Sequence, residues 1–287
     1  MSNSRFVNSV FHPTDFSDSS LVAFDHALAV TVRCRGELSI LHAGHDVQDG
    51  DPFEHFPAVR TTLERWGRLD PISPRSAVFD QLDVRIRKVN LQQLSAVGAA
   101  HLHLDAVPTD LVVLATEGRD GLPAWLKPST AERIARAANS MTLFVQQDVR
   151  GFVNRDDGSF ALARILVPIA HAPAAQPALA AATRLATLVD TPVEVILFHI
   201  GDDAMPVVAK VHDPQITFVE ERGRGNVIDA IERAVREFDT DVVVMTTDGR
   251  DGFLGAMGRG SHTERVVRHA ACPVLSIPVH PDAHVVE

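Results

Sequence analysis

The sequence has few of the features that mark secreted, membrane or metal-binding proteins. Its only two cysteines, Cys34 and Cys272, lie far apart at no metal-type spacing, which favours a reducing compartment. Residues 1–15 have no basic segment followed by a long apolar one, so they predict no secretion signal. The sequence also has no run of about twenty apolar residues, the length that crosses a membrane. We therefore expect a cytoplasmic protein with no membrane partner.

Basic charge is scarce as well. The chain has 27 Lys and Arg against 37 Asp and Glu, a formal net charge of −10 at pH 7. Such a balance argues against nucleic acid as the main partner, because an acidic surface repels a polyanion. A hydrophobic content of 45% with 22% charged residues is ordinary for a soluble globular protein, and 287 residues suffice for one large or two ordinary domains.

What the chain does have is an internal repeat. The tetrapeptide Gly-Arg-Asp-Gly closes two Val-rich runs, from Gly118 and from Gly249, which are 249 − 118 = 131 residues apart. Upstream, Pro13 of "SVFHPTD" matches Pro168 of "RILVPIA", and there the offset is 168 − 13 = 155 residues. The second copy is therefore shorter by a net 155 − 131 = 24 residues between its first strand and its Val-rich strand. That is about the size of one helix with its loops.

The missing segment is visible when the copies are compared. After "ELSILHA" the first copy carries "DPFEHFPAVRTTLERWGRL", with apolar residues at Phe56, Val59, Leu63 and Trp66 that suit an amphipathic helix. After the matching "VEVILFHI" the second copy has "GDDAMPVVAKVHDPQ", which has the composition of a loop. We therefore predict that the second copy lacks one helix.

Strands and helices alternate within each copy. "ILVPI", "LVVLA", "VVVM" and "VLSI" are continuous apolar runs, as expected of parallel strands buried on both faces, and segments such as "GNVIDAIERAVREF" have a helical period. This alternation predicts two α/β domains, residues 1–150 and 151–287, each with a doubly wound sheet. The Asp157-Gly158 pair predicts a linking hairpin at the start of the second domain.

Ligands of such sheets collect beyond the carboxyl ends of the strands. A glycine-containing loop that runs into a helix offers backbone N–H groups and a positive dipole end to a phosphate. The second copy has such a loop, "TDGRDGFLGAMGRGSHTERV", in which Gly249, Gly252 and Gly260 allow close approach and Ser261 adds a hydroxyl. A flexible loop that ends in a good N-cap would have the same pattern.

Together, the strand ending in "HPTDFSDSSLVAFDHAL", the Val-rich strand before a Gly-rich loop and the closing "GSHTERVVRHAACPVLSIP" resemble the universal stress protein family in its tandem form. The resemblance extends from about residue 5 to residue 279. It implies two Rossmann-like domains of the adenine nucleotide alpha hydrolase-like type, each with a five-stranded parallel sheet. Many members bind ATP through an aspartate after the first strand and a loop of Gly, two residues, Gly, nine residues, then Gly-Ser or Gly-Thr.

The first copy keeps part of this pattern. Asp15 stands where the family aspartate contacts the adenosine moiety, although an aspartate at this place also commonly caps a turn. The loop has Gly118 at the right spacing, but Ala115 replaces the first glycine. At its end, Pro128 precedes Ser129, and a proline has no N–H to donate to a phosphate.

The second copy differs from the family pattern at other positions than the first copy does. It keeps Gly249 and Gly260-Ser261, whereas Thr246 replaces the first glycine and Ala170 replaces the aspartate. We therefore favour the second copy for phosphate and the first, through Asp15, for an adenosine-type ligand without a full triphosphate. The candidate nucleotide-binding residues are Pro13, Asp15, Gly118, Ser129, Gly249, Gly252, Gly260 and Ser261.

Neither the spacing of the histidines nor a catalytic motif indicates another site in the sequence. None of the 14 histidines has the spacing of a zinc module, and His42 and His199 stand at matching strand ends, which indicates duplication rather than a joint site. No Walker loop, nucleophile elbow or paired-carboxylate motif occurs. We therefore expect no catalytic residue, and no metal beyond Mg²⁺ that accompanies a nucleotide.

The resemblance implies a cytoplasmic, non-catalytic module that binds or senses an adenine nucleotide, such as ATP or AMP, in the stress response. One alternative is the same fold with degenerate sites, acting in protein interaction or dimerisation, and another is a weak ATP hydrolase. The apolar strands "TLFVQ" and "VLSIP" need partners, so we expect the two domains to pair with each other, with a homodimer as a further form of assembly.

Overall fold

The two copies of the repeat have the same order of strands, and the second copy lacks the helices that follow the second strand of the first. The computed structural model describes residues 5–44, 53–92, 94–116, 130–138, 140–147, 149–247 and 262–279. The elements of the first half are β1 (Ser9–Thr14), α1 (Asp18–Cys34), β2 (Glu37–Ala43), α2 (Val59–Arg65), α3 (Ala77–Leu82), β3 (Arg85–Leu91), α4 (Ala96–Ala106), β4 (Leu111–Thr116), α5 (Thr130–Ala137) and β5 (Met141–Gln146). Those of the second half are β6 (Arg164–Ile169), α6 (Gln176–Ala186), β7 (Val193–Ile200), β8 (Ile216–Gly223), α7 (Val227–Glu237), β9 (Val242–Thr247), α8 (His262–His269) and β10 (Val274–Pro278).

These strands form one sheet in the order β3-β2-β1-β4-β5-β10-β9-β6-β7-β8. Within each half, all neighbouring strands are parallel, which confirms the predicted pair of doubly wound, five-stranded sheets. The halves meet where β10 pairs antiparallel with β5, with Leu275 opposite Leu143. These are the two strands for which the sequence analysis expects partners, whereas association with a second chain stays a prediction.

Helices cover both faces of the sheet. One buried apolar cluster joins the sheet to α1, α2 and α6, and the other joins it to α4, α5, α7 and α8. Each cluster contains side chains from both halves, so the cores are continuous across the β5–β10 join. Within the described ranges, none of these helices is long and apolar enough to cross a membrane.

The second half lacks the helical layer that follows β2 in the first half. Residues 201–215, all of which are described, contain no helix, which confirms the predicted loss. The first half has two short helices at this place, α2 and α3, and the sequence analysis predicted only the one around Val59 and Leu63. Both of these side chains are buried, as the apolar period requires.

A repeated aspartate fixes how the Val-rich strand enters each half of the sheet. The Asp110 carboxylate accepts hydrogen bonds from the backbone N–H groups of the two residues at the start of β1, at 2.7 and 3.0 Å. The Asp241 carboxylate does the same with two residues at the start of β6, at 2.7 and 2.9 Å, and it also pairs with Arg150. These side-chain hydrogen bonds therefore link the first and fourth strands of each half just before the backbone hydrogen bonds between the two strands begin.

The segment between the halves is a hairpin that packs on the first half. Val153 and Phe160 form an antiparallel bridge, and the Trp66 indole N–H donates to the Arg155 carbonyl at 2.9 Å. The Arg155 guanidinium in turn donates to the buried Asp25 carboxylate at 2.7 Å. Burial raises the pKa of the Asp25 carboxyl, and the hydrogen bond from Arg155 opposes that rise. The hairpin is thus fixed by specific contacts, while the boundary at residues 150 and 151 stays a prediction.

Replacement of Gly158 by alanine should destabilise the protein more than the same change at Gly67. Both glycines have a left-handed backbone, with φ values of 67° and 64°, so alanine strains both positions by about 1–2 kcal/mol. A Cβ on Gly158 would lie 2.4 Å from Trp66 Cδ2, whereas one on Gly67 meets nothing within 4 Å. We therefore expect Gly158→Ala to cost about 1–3 kcal/mol more than Gly67→Ala, as measured by urea denaturation. Equal losses would show that the hairpin does not pack tightly on Trp66.

Candidate functional site

Asp15 stands at the carboxyl end of β1, where a parallel sheet presents its ligand crevice. It is exposed, and its Oδ1 accepts hydrogen bonds from the Ser17 backbone N–H at 3.1 Å and the Ser17 hydroxyl at 2.6 Å. Ser17 is itself the N-cap of α1, so Asp15 helps to fix the turn into that helix. Oδ2 has no hydrogen-bond partner among the described residues, which leaves one carboxylate oxygen open to a ligand. Pro13, another candidate, lies half-buried within β1, two residues before Asp15.

Phe16 follows in a strained conformation. Its φ of 65° is in the left-handed region, which bulky side chains rarely adopt. Its ring stacks on His42 with the centroids 4.0 Å apart and meets the edge of Phe56 at 5.5 Å. Strained residues of this kind are concentrated at functional sites, where the surrounding structure holds them. An aromatic cluster of Phe16, His42, His55 and Phe56 thus lies beside Asp15.

Three buried polar atoms that have no hydrogen-bond partner among the described residues lie near the carboxyl ends of strands in the first half. They are Asn90 Oδ1, His42 Nε2 and Thr116 Oγ1, near or at the carboxyl ends of β3, β2 and β4. His42 and Asn90 are opposite each other in the β2–β3 ladder. The strand order β3-β2-β1-β4 places Asn90, His42, Asp15 and Thr116 in succession along these strand ends. Because side chains alternate along a strand, Asn90 and His42 lie on one face of the sheet and Thr116 lies on the other. Buried polar atoms are nearly always paired in folded proteins, so three unpaired ones along one edge are unusual.

Four other buried polar atoms in the described part of the chain also lack partners, but they do not extend this group. They are His26 Nε2, His103 Nε2, Gln146 Oε1 and Thr240 Oγ1. Gln146 ends β5, but its side-chain amide already donates to the carbonyl of Val267 in α8. The other three lie away from the carboxyl ends of the strands.

The matching crevice of the second half is built differently. Ala170 follows β6 where Asp15 follows β1, and a cluster of two histidines and one carboxylate lies next to it. The Asp203 carboxylate is 3.1 Å from His199 Nε2 and 3.1 Å from His171 Nε2. The hydrogen bond from His199 lowers the pKa of the Asp203 carboxyl. In the described part of the second half, the carboxyl ends of the strands carry no buried unpaired side-chain atom.

The remaining candidates cannot be placed in this geometry. Gly118, Ser129, Gly249, Gly252, Gly260 and Ser261 lie outside the described residues. Within the described ranges, no group of three or more His, Cys, Asp or Glu side chains is arranged to hold a metal ion.

Sequence reasoning missed Asn90, Thr116, His171 and Asp203. One signal was present for Asp203, because the pattern His-x-Gly-x-Asp occurs in both copies, at residues 42–46 and 199–203. Asn90 and Thr116 carry no comparable signal, since a single polar residue at a strand end is common.

Two buried histidines should make the stability of the protein depend on pH. Burial lowers the pKa of His12 to about 4 and that of His26 to about 4. An unfolded histidine has a pKa of about 6.5, so below that pH the unfolded chain binds more protons than the folded one. Their stabilising effect is therefore complete above about pH 6.5 and is lost as the pH falls towards 4. We expect the free energy of unfolding in urea to fall between pH 7.5 and 5, above the ordinary carboxyl range.

A matched pair of variants tests the cause of this pH dependence. His26→Gln should make it shallower, whereas His101→Gln, at an exposed position of α4, should leave it unchanged. Constant stability between pH 7.5 and 5 in the unaltered protein would contradict the burial of neutral imidazoles.

The comparisons with known proteins agree with this architecture. A universal stress protein from Archaeoglobus fulgidus has a similar structure, with a TM-score of 0.61 and 16% identity, covering 94% of this chain and 98% of its own. A functionally unknown protein from Pseudomonas aeruginosa PAO1 gives a TM-score of 0.58 and 15% identity, covering 96% of this chain and 93% of its own. At such identities the likeness shows the fold alone. A search of curated protein sequences finds no match.

The sequence model of the universal stress protein family matches residues 8–146 and 201–278. The first segment spans β1 to β5, and the second runs from the end of β7 to β10. Together they cover well over half of the chain and fall in both copies of the repeat. The chain therefore belongs to the universal stress protein family, in its tandem form.

Proposed function

We propose that the protein is a non-catalytic module that binds an adenine nucleotide, and that the first crevice holds the adenosine moiety. The observation that carries this proposal is the row of polar atoms at the carboxyl edge of the first half. Asn90 Oδ1 and His42 Nε2 are buried on one face of the sheet without partners among the described residues, and Thr116 Oγ1 is likewise unpaired on the opposite face. Each such atom costs about 1–3 kcal/mol when it is left unpaired, so a ligand that supplies partners gains that amount.

The chemistry of the row favours a ligand rich in hydrogen-bond donors. Asn90 Oδ1 can only accept, and the Thr116 hydroxyl can donate or accept. Asp15 Oδ2 adds an exposed, charged acceptor between them. Sugar hydroxyls and an exocyclic amino group are donors of this kind, and a nucleoside carries both. The family resemblance of Asp15 to the aspartate that contacts adenosine supports the same ligand.

The second crevice does not offer the same contacts. Ala170 cannot accept a hydrogen bond through its side chain, and His199 Nε2 is already in contact with Asp203 Oδ1. Gly260 and Ser261 remain there in the sequence as phosphate-type loop residues. We therefore propose unequal crevices, the first for adenosine and the second, if it binds, for a phosphate group.

We assign no catalytic residue to either crevice, and Mg²⁺ would enter only with the phosphates of a nucleotide. If the protein instead hydrolyses ATP weakly, ADP will accumulate when the purified protein is incubated with ATP. If it is an interaction module with degenerate sites, neither ATP nor AMP will bind, and no adenine nucleotide will be released on denaturation of the purified protein.

Titration of AMP and ATP against variants of the two crevices tests the proposal. Asp15→Ala should weaken AMP binding about tenfold or more, because a hydrogen bond to a charged group contributes about 1.5–3 kcal/mol and about 1.4 kcal/mol is tenfold. Ser261→Ala should weaken ATP binding more than AMP binding, because the loop serine would contact phosphate. Isothermal titration calorimetry measures both affinities.

Asp18→Ala is the matched control for the first variant. Asp18 is an exposed acid in the first turn of α1, so its removal changes the net charge equally without touching the edge. AMP affinity should stay unchanged in this variant. If neither Asp15→Ala nor Ser261→Ala changes either affinity, neither crevice binds a nucleotide. The protein is then better described as an interaction module with degenerate sites.

A further inference from the structure

A cavity of about 460 Å³, which we call the inter-half cavity, lies where the two halves and the linking hairpin meet. It is lined by the end of α1, by segments around α2 and α3, and by residues 158–160 and 188–191, all well inside the described ranges. Its residues from the ends of α1 and α6 stand just before β2 and β7, whereas both crevices lie at the carboxyl ends of strands. Small-molecule sites commonly have volumes of about 300–1,000 Å³, so the cavity is large enough for a ligand.

Much of the lining is apolar. The larger apolar side chains are those of Val32, Trp66, Leu82, Phe160 and Leu188. Val32, Leu82 and Phe160 are only partly buried, so they offer surface to a ligand. Covering such surface with the apolar part of a ligand is favourable, because it removes apolar area from water on both sides. The lining therefore suits a ligand with an apolar body.

Three arginines line the same cavity, although the chain has a formal net charge of −10. They are Arg33, Arg35 and Arg68. Arg33 is held by the second half, because its Nε donates to the Leu188 carbonyl at 2.7 Å and its Nη2 donates to the Asp190 carboxylate at 2.7 Å. The charge of Arg33 is therefore already balanced by an acid.

The other two arginines have no acid within ion-pair distance among the described residues. The Arg35 guanidinium makes no hydrogen bond there either. The charge of Arg68 helps to lower the pKa of the Asp157 carboxyl, but hydrogen bonds from Ser159 are the larger cause. A guanidinium pairs with a carboxylate through two parallel hydrogen bonds. Arg35 and Arg68 therefore make an organic carboxylate a suitable ligand of the cavity.

Arg35 also has a backbone conformation that glycine usually adopts. It is the C-cap of α1 with a φ of 51°, and its N–H bonds to the carbonyls of Thr31 and Val32. Residues with a Cβ are uncommon in this left-handed region, and strained residues are concentrated at functional sites. An arginine at this position is therefore better explained by what its side chain binds than by its backbone.

We propose that the inter-half cavity binds an organic carboxylate with an apolar body, such as a medium-chain fatty acid. The carboxylate pairs with Arg35 and Arg68, and the apolar body packs on Val32, Leu82 and Phe160. An inorganic anion would leave the apolar lining uncovered, and a neutral lipid would leave the two arginines unpaired. The cavity is separate from both crevices, so this inference goes beyond the proposed function.

Binding of octanoate, followed by the fluorescence of Trp66, tests the inference. Trp66 lines the cavity, and the sequence has one other tryptophan, Trp125, so the measurement uses a Trp125→Phe background. Octanoate should change the emission saturably, and calorimetry of the unaltered protein should give the same affinity. Acetate lacks the apolar chain and 1-octanol lacks the charge, so each should bind at least about threefold more weakly.

Two variants and a matched control locate the carboxylate. Arg35→Gln and Arg68→Gln should each weaken octanoate binding about threefold or more and leave 1-octanol binding unchanged, because only the charge is lost. Arg133→Gln removes the same charge from α5, on the opposite face of the sheet, and should change neither affinity. Circular dichroism and urea denaturation of each variant check that the fold is intact.

Three results overturn the inference. They are no saturable change with octanoate, equal affinities for octanoate and 1-octanol, and a loss in Arg133→Gln as large as that in Arg35→Gln. The affinity for octanoate should also be the same in the presence of AMP, and displacement by AMP would show that octanoate occupies a nucleotide crevice instead. Failure of octanoate to bind leaves the proposed function standing, and failure of AMP to bind leaves the inter-half cavity standing.

Discussion

The antiparallel pairing of β5 with β10 is the contact on which the rest of the architecture depends. Each half alone would be a five-stranded sheet with an exposed apolar edge, which is a site for unwanted pairing. Pairing of the two edges, with Val274 opposite Phe144 and Ser276 opposite Thr142, makes one sheet with continuous cores on both faces. It also fixes the direction of the strands. Because β5 and β10 are antiparallel, the strands of the two halves point in opposite directions. The carboxyl ends of the strands in one half therefore lie at the end of the sheet where the strands of the other half begin.

This separation explains how the two crevices could diverge. The first keeps an aspartate after β1, an aromatic cluster and a row of unpaired polar atoms, whereas the second has Ala170 and the cluster around Asp203. The missing helical layer did not leave the second half uncovered. Met205 and Val208 pack on its core, and the Gln176 side chain holds the Ala209 backbone through hydrogen bonds of 3.1 and 2.8 Å. A loop therefore replaces two short helices without exposing the face of the sheet.

Much of the fold could be predicted from the sequence, because buried parallel strands are continuous apolar runs and the repeat doubles the signal. The edge strand β3 is harder to predict, since Arg85 and Arg87 alternate with partly buried residues. Helix α3 has one buried residue, Ala77, and its Phe79 is 46% exposed, so it has almost no apolar period. Its position is fixed by packing, which sequence patterns do not show.

Of the candidate residues that the family pattern names, the described part of the chain places Pro13 and Asp15, and their role in binding stays a prediction. Asp15 could be predicted because it follows a strand and precedes a helix, and the structure adds that only one of its oxygens is used by the turn. The lack of described partners for His42 Nε2 and Asn90 Oδ1 could not be predicted, because it depends on which groups the neighbouring strands bring close to them. The contact of His199 with Asp203 needs the turn at Gly201, where a Cβ would lie 2.5 Å from the Asp203 carboxylate.

The central claim is that the two crevices are unequal and that the first one binds the adenosine moiety. Backbone amide shifts of isotope-labelled protein during addition of AMP test it most directly, because they report on both edges of the sheet in one experiment. The account predicts saturable shifts around Asp15, His42, Asn90 and Thr116, with the amides around Ala170, His199 and Asp203 unchanged. Shifts confined to the second group, or equal shifts in both, would contradict it.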